Sequence, residues 1–298
     1  MYLVREIVGL AGFFFLNGHT GPMWRERRGS PSYFPHVESK HSSFHGISPS
    51  TSHVDERHIG VDEAGRGPAI GPLVVCALSI PHEDRSILEN IGVDDSKKLS
   101  KTRRETIHNE IISNVEARGW EVGLIRSNAG EIDRWMESGT LNSLEVKLFA
   151  EAITMTTEQP SKSTLFLDAC DVNATRFGRD VSSALGDQWK DCKILSEHRM
   201  DSTDVITGAA SIIAKVNRDS AIDQISRRLG VDIGSGYPSD SKSKIVINEL
   251  CREMVLDDCL RRKWSNVKKT WERYHRKPLP RRETEETGPF QSALDDWN

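Results

Sequence analysis

The chain has 298 residues, is 37% hydrophobic and 28% charged, and carries a formal net charge of −4 at pH 7, which suits a soluble protein of one large domain or two small ones. Its longest apolar run, from Ile7 to Leu16, is too short to cross a bilayer, so no membrane association is expected. Five cysteines (Cys76, Cys170, Cys192, Cys251 and Cys259) make no CxxC pair and no zinc-like spacing, which predicts a reducing, cytoplasmic compartment.

In chain order, residues 1–58 are rich in Ser, Gly and Pro, hold six of the ten His and show no period. They predict a disordered or poorly ordered extension, with Met23 as an alternative start. His41 and His45 are four apart, but "SKHSSFHGISPSTS" is a poor helix, and these histidines are read as incidental. "HIGVD" and "PLVVCALSI" predict two consecutive strands with a Gly-Pro turn between them. A helix should open at Thr102, with Glu105 completing a capping box. "WEVGLIRS" and "STLFLDAC" predict two more strands, with a helix from about Leu141 to Thr157 between them. "CKILSEH" predicts a fifth strand and residues 205–229 a long helix. Two adjacent early strands followed by strand-helix alternation predict a mixed α/β sheet with helices on both faces.

Several acids stand where such a sheet gathers ligands. Asp62 and Glu63 end the first strand ahead of "AGRGP"; alone, the pair reads as a solvated turn, and the rest of the chain is what makes it a candidate site. Consecutive strand residues face opposite sides, so the two can share a site only if the pleat breaks at the glycine turn. Asp168 ends the strand "TLFLD", at the edge where open α/β sheets bind ligands; its alternative is a helix N-cap. Ser211, Lys215 and Asp219 recur every four residues along one helix face, and the last two could form only a surface ion pair. Gly208, Ala209, Ala210 and Ser211 let the start of that helix lie close to the sheet or to a ligand.

The motifs "GVDEAGRGP", "DDSKKLS", "LDACDVNATRFG", "GAASIIAKVNRD" and "GSGYPSD" occur in the order and approximate spacing of ribonuclease HII, and the chain resembles the archaeal and eukaryotic branch of that family over about residues 59–274. The resemblance implies an RNase H-like mixed sheet flanked by helices, with a small C-terminal helical segment. It also implies four carboxylates, Asp62, Glu63, Asp168 and Asp219 by motif position, holding two Mg²⁺ or Mn²⁺ ions. Hydrolysis of a phosphodiester needs charge stabilised on the attacking and leaving oxygens, and an all-carboxylate cluster is what Mg²⁺ takes. Gly65, Arg66 and Gly67 resemble a GRG motif whose backbone meets the 2′-hydroxyls of the substrate, the group that separates RNA from DNA. Tyr237 resembles a tyrosine at the RNA-to-DNA junction, with a turn aromatic as its alternative. Lys97 would lie near phosphate, unless Lys98 serves. The expected activity is endoribonucleolytic cleavage of RNA-DNA hybrids and of ribonucleotide-containing duplex DNA by a monomer. A silent nucleic-acid-binding protein on the same fold is the rival reading, and the intact quartet argues against it. A phosphate-loop switch is excluded, because "GRGPAIGP" lacks the Gly-Lys-Ser/Thr ending.

Beyond Leu260 the acidic body gives way to a basic stretch and then to an acidic tail. Residues 261–282 carry ten Lys or Arg against one acid, with Trp264, Trp271 and Tyr274 interleaved. Trp264, Val267 and Trp271 should bury one helix face while Lys268, Lys269, Arg273 and Arg276 point toward phosphates. The last sixteen residues carry five acids and no base. Within them Gln291, Leu294 and Trp297 resemble the clamp-binding box of replication and repair proteins, which implies a sliding clamp as partner. Asn298 departs from that pattern where a second aromatic would stand. The expected organisation is an extension (1–58), an RNase H-like domain (59–230), a basic helical segment that binds substrate (231–282) and an acidic tail (283–298).

Overall fold

Alternating side chains on two central strands set the architecture. In the computed structural model of the protein, which describes residues 3–6, 56–93, 99–157 and 160–282, these are β2 (Arg57–Ala64) and β3 (Leu73–Pro81). Leu73, Val75 and Ala77 point to one face of the sheet and Val74, Cys76, Leu78 and Ile80 to the other, all fully buried. A strand apolar on both faces must be covered on both. The sheet is completed by β1 (Leu3–Glu6), β4 (Glu121–Ser127), β5 (Ser163–Asp168) and β6 (Lys193–Glu197), in the order β1-β4-β3-β2-β5-β6. Neighbours β2 and β3 and neighbours β3 and β4 are antiparallel, while β2 with β5, β5 with β6 and β1 with β4 are parallel.

Helices α4 (Leu141–Thr154) and α5 (Ala174–Leu185) cover one face; α1 (Arg85–Ile91), α2 (Lys101–Arg118) and α6 (Val205–Leu229) cover the other. The short α3 (Ala129–Trp135) follows β4. The first turn of α6 lies directly against Gly60 of β2: a Cβ there would stand 2.4 Å from the Ile206 carbonyl carbon and the Thr207 nitrogen. Only a residue without a side chain admits that approach. The start of α6 thus lies close against the sheet, though the glycine that admits it is Gly60; Gly208 faces the Asp201 carbonyl and Val93 instead. The Asp204 carboxylate caps this helix through the N–H groups of Ile206 and Thr207, and Arg85 Nη2 donates to it at 2.6 Å.

A third core joins α7 (Ser241–Arg252) and α8 (Ser265–His275) to the far end of α6 and to Ala69 and Ile70, which lie between β2 and β3. Val267 and Trp271 are buried there, as their spacing predicts. Trp264 precedes the helix as its N-cap residue and is half-buried. The two early strands are therefore joined by an eight-residue loop packed into the third core, not by a simple surface turn.

Three local expectations change. The cap of α2 is Ser100, whose hydroxyl accepts from Arg103 N at 3.2 Å; Thr102 already lies inside the helix, where a cap cannot sit because its backbone must be extended. Leu3–Glu6, in the segment expected to lack order, pairs with β4, since backbone pairing along a sheet edge needs no side-chain period. Helices α1, α3 and α5 were not anticipated, two of them being only seven residues long. Residues 7–55 lie outside the described residues. Among the described residues, no helix is long and apolar enough to cross a membrane.

Candidate active site

The parallel register of β2 and β5 brings two acids together. Val61 pairs with Leu167, so Asp62 and Asp168 follow side by side at the C-terminal ends of the two strands, on the face covered by α6. Asp62 is 4% exposed, and its side chain is hydrogen-bonded to Ser211 of α6. A third carboxylate comes from Asp201, in the short 3₁₀ turn Met200–Ser202 after β6. Ligand oxygens of Asp62, Asp168 and Asp201 lie within 4.8 Å of one another. The turn is fixed to the strand end by Met200 N, which donates to Asp168 Oδ1 at 3.1 Å.

The pleat breaks at the glycine turn, as expected, but only after both acids, so Asp62 and Glu63 leave the strand on opposite sides. Strand β2 runs on through Ala64, and the break falls at Gly65, with φ +91°. Glu63 leaves the strand on the other side of the pleat, where Cys170 donates to its Oε2 at 3.2 Å and Glu145 of α4 lies close by, yet around the sheet end its side chain is hydrogen-bonded to that of Asp62. It remains electrostatically coupled to the first group. Burial and the charges of Glu63 and Asp168 hold the Asp62 carboxyl well above the usual range. Burial, then Glu63 and Asp201, push Asp168 up to about 6. Carboxylates this crowded resist ionising together, which is the condition a cation relieves. Hard oxygen donors without nitrogen or sulfur, as in the Asp62 group, fit Mg²⁺ or Mn²⁺.

The GRG loop is held from behind. Arg261, fully buried, donates from Nη2 to the Gly65 carbonyl at 2.6 Å, from Nη1 to the Arg66 carbonyl at 3.0 Å and from Nε to the Gly71 carbonyl at 2.9 Å. Trp264 Nε1 donates to the Gly67 carbonyl at 2.9 Å, and the Arg261 guanidinium stacks 4.8 Å from the Trp264 ring. All three carbonyls of the triplet are thus engaged by one short stretch of the C-terminal segment. Gly65 is a glycine for an internal reason as well: a Cβ there would stand 2.3 Å from Arg218 Nε, and its φ is positive. Tyr237, 40% exposed, lies over Gly67, with its Cε1 3.0 Å from where a Cβ would be. The Arg66 side chain is turned inward, donating to Asn142 Oδ1 at 2.6 Å and facing Glu145 Oε1 at 3.3 Å. A cleft of about 400 Å³ lined by Arg66, Gly67, Met136, Leu141, Lys263 and Trp264 opens beside the loop.

Asp219 is not brought to the acid group. It lies eight residues beyond Ser211 on α6, about 12 Å along the axis, and its carboxylate is held by Lys215 Nζ at 2.6 Å and Arg104 Nη2 at 3.2 Å. The stripe that singled it out is the ion pair named as its alternative. Sequence reasoning missed Asp201 and Glu145; Asp201 stands in "HRMDSTD", an irregular turn with no period to mark it. Lys97 and Lys98 lie outside the described residues, as do Gln291, Leu294 and Trp297. Of the basic stretch, Lys268, Lys269 and Arg276 are exposed. Arg273 is exposed too but donates to Asn248. Arg261 and Arg282 work inside the protein, Arg282 Nε donating to the buried Asp133 at 2.9 Å.

A mixed sheet flanked by helices, with Asp62 and Asp168 at the ends of adjacent strands and Asp201 in the turn after β6, defines an RNase H-like fold with a candidate metal site. A family model for ribonuclease HII matches residues 59–267. The ribonuclease HII of Methanocella arvoryzae is 42% identical over 209 residues, which cover 69% of this chain and 88% of that protein. The ribonuclease H2 structure from Pyrococcus horikoshii is 32% identical, with a TM-score of 0.65, covering 74% of this chain and 100% of that one. A structure of the complex of PCNA with RNase HII from Archaeoglobus fulgidus is 32% identical, with a TM-score of 0.61, over 72% of this chain and 96% of that one. The chain belongs to the ribonuclease HII family, and it is a hydrolase of the type 2 ribonuclease H kind.

The raised carboxyl groups predict a pH signature. A carboxyl whose pKa is higher folded than unfolded stabilises the fold fully below its unfolded value near 3.8, and that contribution is lost as pH rises through the folded value, about 6 for Asp168. Divalent cation competes with those protons, so the rise in Tm that Mn²⁺ gives over EDTA should be larger at pH 8 than at pH 5. Melting curves under the four conditions check this; an equal rise at both pH values contradicts it.

Proposed function

We propose that the chain cuts the RNA strand of RNA-DNA hybrids, and single ribonucleotides embedded in duplex DNA, with two divalent cations (Mg²⁺ or Mn²⁺), leaving 5′-phosphate and 3′-hydroxyl ends. The observation that carries this reading is the meeting of Asp62, Asp168 and Asp201, with Glu63 adjoining, beside a Gly65–Gly67 triplet whose three carbonyls are engaged. Asp62, Glu63, Asp168 and Asp201 would hold the cations, Asp201 taking the place first given to Asp219. Cations bound there supply a nucleophilic water and stabilise charge on the attacking and leaving oxygens. The chain's own part is selection and positioning. With the carbonyls of Gly65, Arg66 and Gly67 taken, the triplet offers a substrate its N–H groups; those of Arg66 and Gly67 donate to no described residue. N–H groups suit the lone pairs of a 2′-hydroxyl, and such contacts select ribonucleotides without reading bases. Tyr237 over Gly67 would meet the sugar next to the cut. Lys268 and Lys269 on the exposed side of α8 would hold backbone phosphates. Lys97 keeps the phosphate role that its motif implies. The five free cysteines support a cytoplasmic setting, and a monomer suffices for the chemistry.

A labelled duplex with one ribonucleotide should be cut at that position with Mg²⁺ and left intact with EDTA. In the same assay Asp201→Asn should lower the rate by several orders of magnitude, as should Asp62→Asn. Asp219→Asn should keep a rate within about tenfold of wild type, the scale of a group acting at a distance. A severe loss for Asp219→Asn together with a mild one for Asp201→Asn would reverse the assignment.

Changing Lys268 and Lys269 together to Ala should weaken duplex binding for all sequences alike and reduce its salt slope by about 2, one for each phosphate contact. Titrations at several salt concentrations read this directly, and an unchanged slope removes α8 from the interface.

Gln291, Leu294 and Trp297 are proposed to bind a sliding clamp, a reading that the PCNA complex of the Archaeoglobus fulgidus RNase HII supports. Such tethering would raise the local concentration of enzyme at new DNA. Full-length protein with Leu294 and Trp297 both changed to Ala should lose clamp binding and keep hybrid cleavage; undiminished binding rejects the motif.

A further inference from the structure

Around the sheet end from Asp62, to whose side chain it is hydrogen-bonded, Glu63 meets two groups that the hydrolysis does not use. Cys170, two residues beyond β5, donates its thiol to Glu63 Oε2 at 3.2 Å. Glu145, from the middle of α4, has no exposed surface, and neither of its carboxylate oxygens accepts a hydrogen bond. Arg66 Nε stands 3.3 Å from Oε1 as an ion-pair partner, so the charge is partly balanced while the oxygens stay unligated. Ligand atoms of Glu63, Glu145 and Cys170 all lie within 4.8 Å of one another. A buried carboxylate without hydrogen bonds is unfavourable unless something else takes its lone pairs, and the groups nearest it besides Arg66 include a thiol and a second carboxylate.

We propose that Glu63, Glu145 and Cys170 form a site for a borderline-soft divalent cation, Zn²⁺ above all, separate in chemistry from the all-oxygen group and sharing Glu63 with it. Sulfur is the reason for the metal: thiolate selects zinc over Mg²⁺, which takes oxygen. Tetrahedral zinc with bonds of about 2.0 to 2.3 Å places its ligand atoms about 3.5 Å apart, and the Cys170–Glu63 pair already stands near that spacing. Three protein ligands leave a fourth position for water. Binding exchanges the thiol proton for the metal: the S–H bond breaks, the sulfur keeps the electron pair and donates it to Zn²⁺, and the proton leaves to solvent. No sequence spacing announces this site because its ligands come from β2, α4 and the turn after β5. Its consequence rests on the function proposed above for Glu63. That carboxylate cannot serve both sites fully, so zinc held by Cys170 withdraws it from the hydrolytic group and restrains cleavage.

The test is a Co²⁺ titration of the full-length, EDTA-stripped protein, read by thiolate-to-cobalt charge-transfer absorption. Wild type should show the band, Zn²⁺ should abolish it and excess Mg²⁺ should not. Cys170→Ser and Cys170→Ala should lack it, and Glu145→Gln should weaken Co²⁺ binding about tenfold or more. A band missing from wild type, or surviving in both Cys170 variants through the other four cysteines, overturns the site. In a second arm Zn²⁺ is titrated into Mg²⁺-supported cleavage, each protein measured against its own zinc-free rate. Cys170→Ser should need about tenfold more Zn²⁺ for half-inhibition; equal sensitivity overturns the sharing of Glu63. A protein that shows the band but cuts no hybrid would support the site and count against the proposed function.

Discussion

The buried guanidinium of Arg261 is the contact on which the geometry of the site depends. It is fully enclosed, which disfavours its charge and, with Arg218 nearby, pushes its pKa down to about 9; it stays protonated at neutral pH. Three charge-assisted hydrogen bonds to carbonyls of the β2–β3 loop, each worth about 1.5–3 kcal/mol, offset that cost, and the face of Trp264 adds a cation–π contact. Its backbone N–H also donates to the Ala69 carbonyl at 2.9 Å. One residue thereby ties the C-terminal helices to the loop beside the acids. The third core, with Trp271 and Val267, is what keeps Arg261 in place. A sequence that looks like a phosphate-binding basic run thus contains the residue that shapes the loop from inside.

The acids depend on a second close approach, α6 against Gly60. That contact brings Ser211 to Asp62 and buries the carboxylate at the sheet's rim, while the parallel register of β2 and β5 sets Asp168 beside it. The same packing that places the charges forbids them to ionise freely. Repulsion and desolvation are therefore built into the metal-free fold, at a cost to stability that cation binding recovers. Glu63, on the other side of the pleat, is coupled to both carboxylate groups, so any ligand that claims it acts on the whole site.

The elements with a strong period were legible from the sequence. Helix α6 spans the residues its pattern predicts, and five strands fall where alternation or apolar runs set them. What the sequence hid was geometry without a period. Asp219 and Lys215 stand at helical spacing, which a salt bridge satisfies as well as a ligand set does, and the ion pair is what formed. Asp201 follows Arg199, which has φ +63° in a turn that no propensity marks. Arg261 was indistinguishable from its basic neighbours because burial depends on the third core, whose parts lie nearly 200 residues apart. The resemblance of the GRG triplet implies only a backbone that meets the substrate. Gly65 is in addition required by Arg218 and by its own positive φ.

The most direct measurement of this account is the cleavage rate of Arg261→Lys on a duplex with one ribonucleotide, taken beside its circular dichroism and its Tm shift with Mn²⁺. Lysine keeps the charge but cannot reproduce a planar fork that reaches three carbonyls. The account predicts a folded protein that binds Mn²⁺ as wild type does and cuts about a hundredfold more slowly, the scale of loss expected when a substrate is misplaced by about 1 Å. A variant that cuts at the wild-type rate would contradict it.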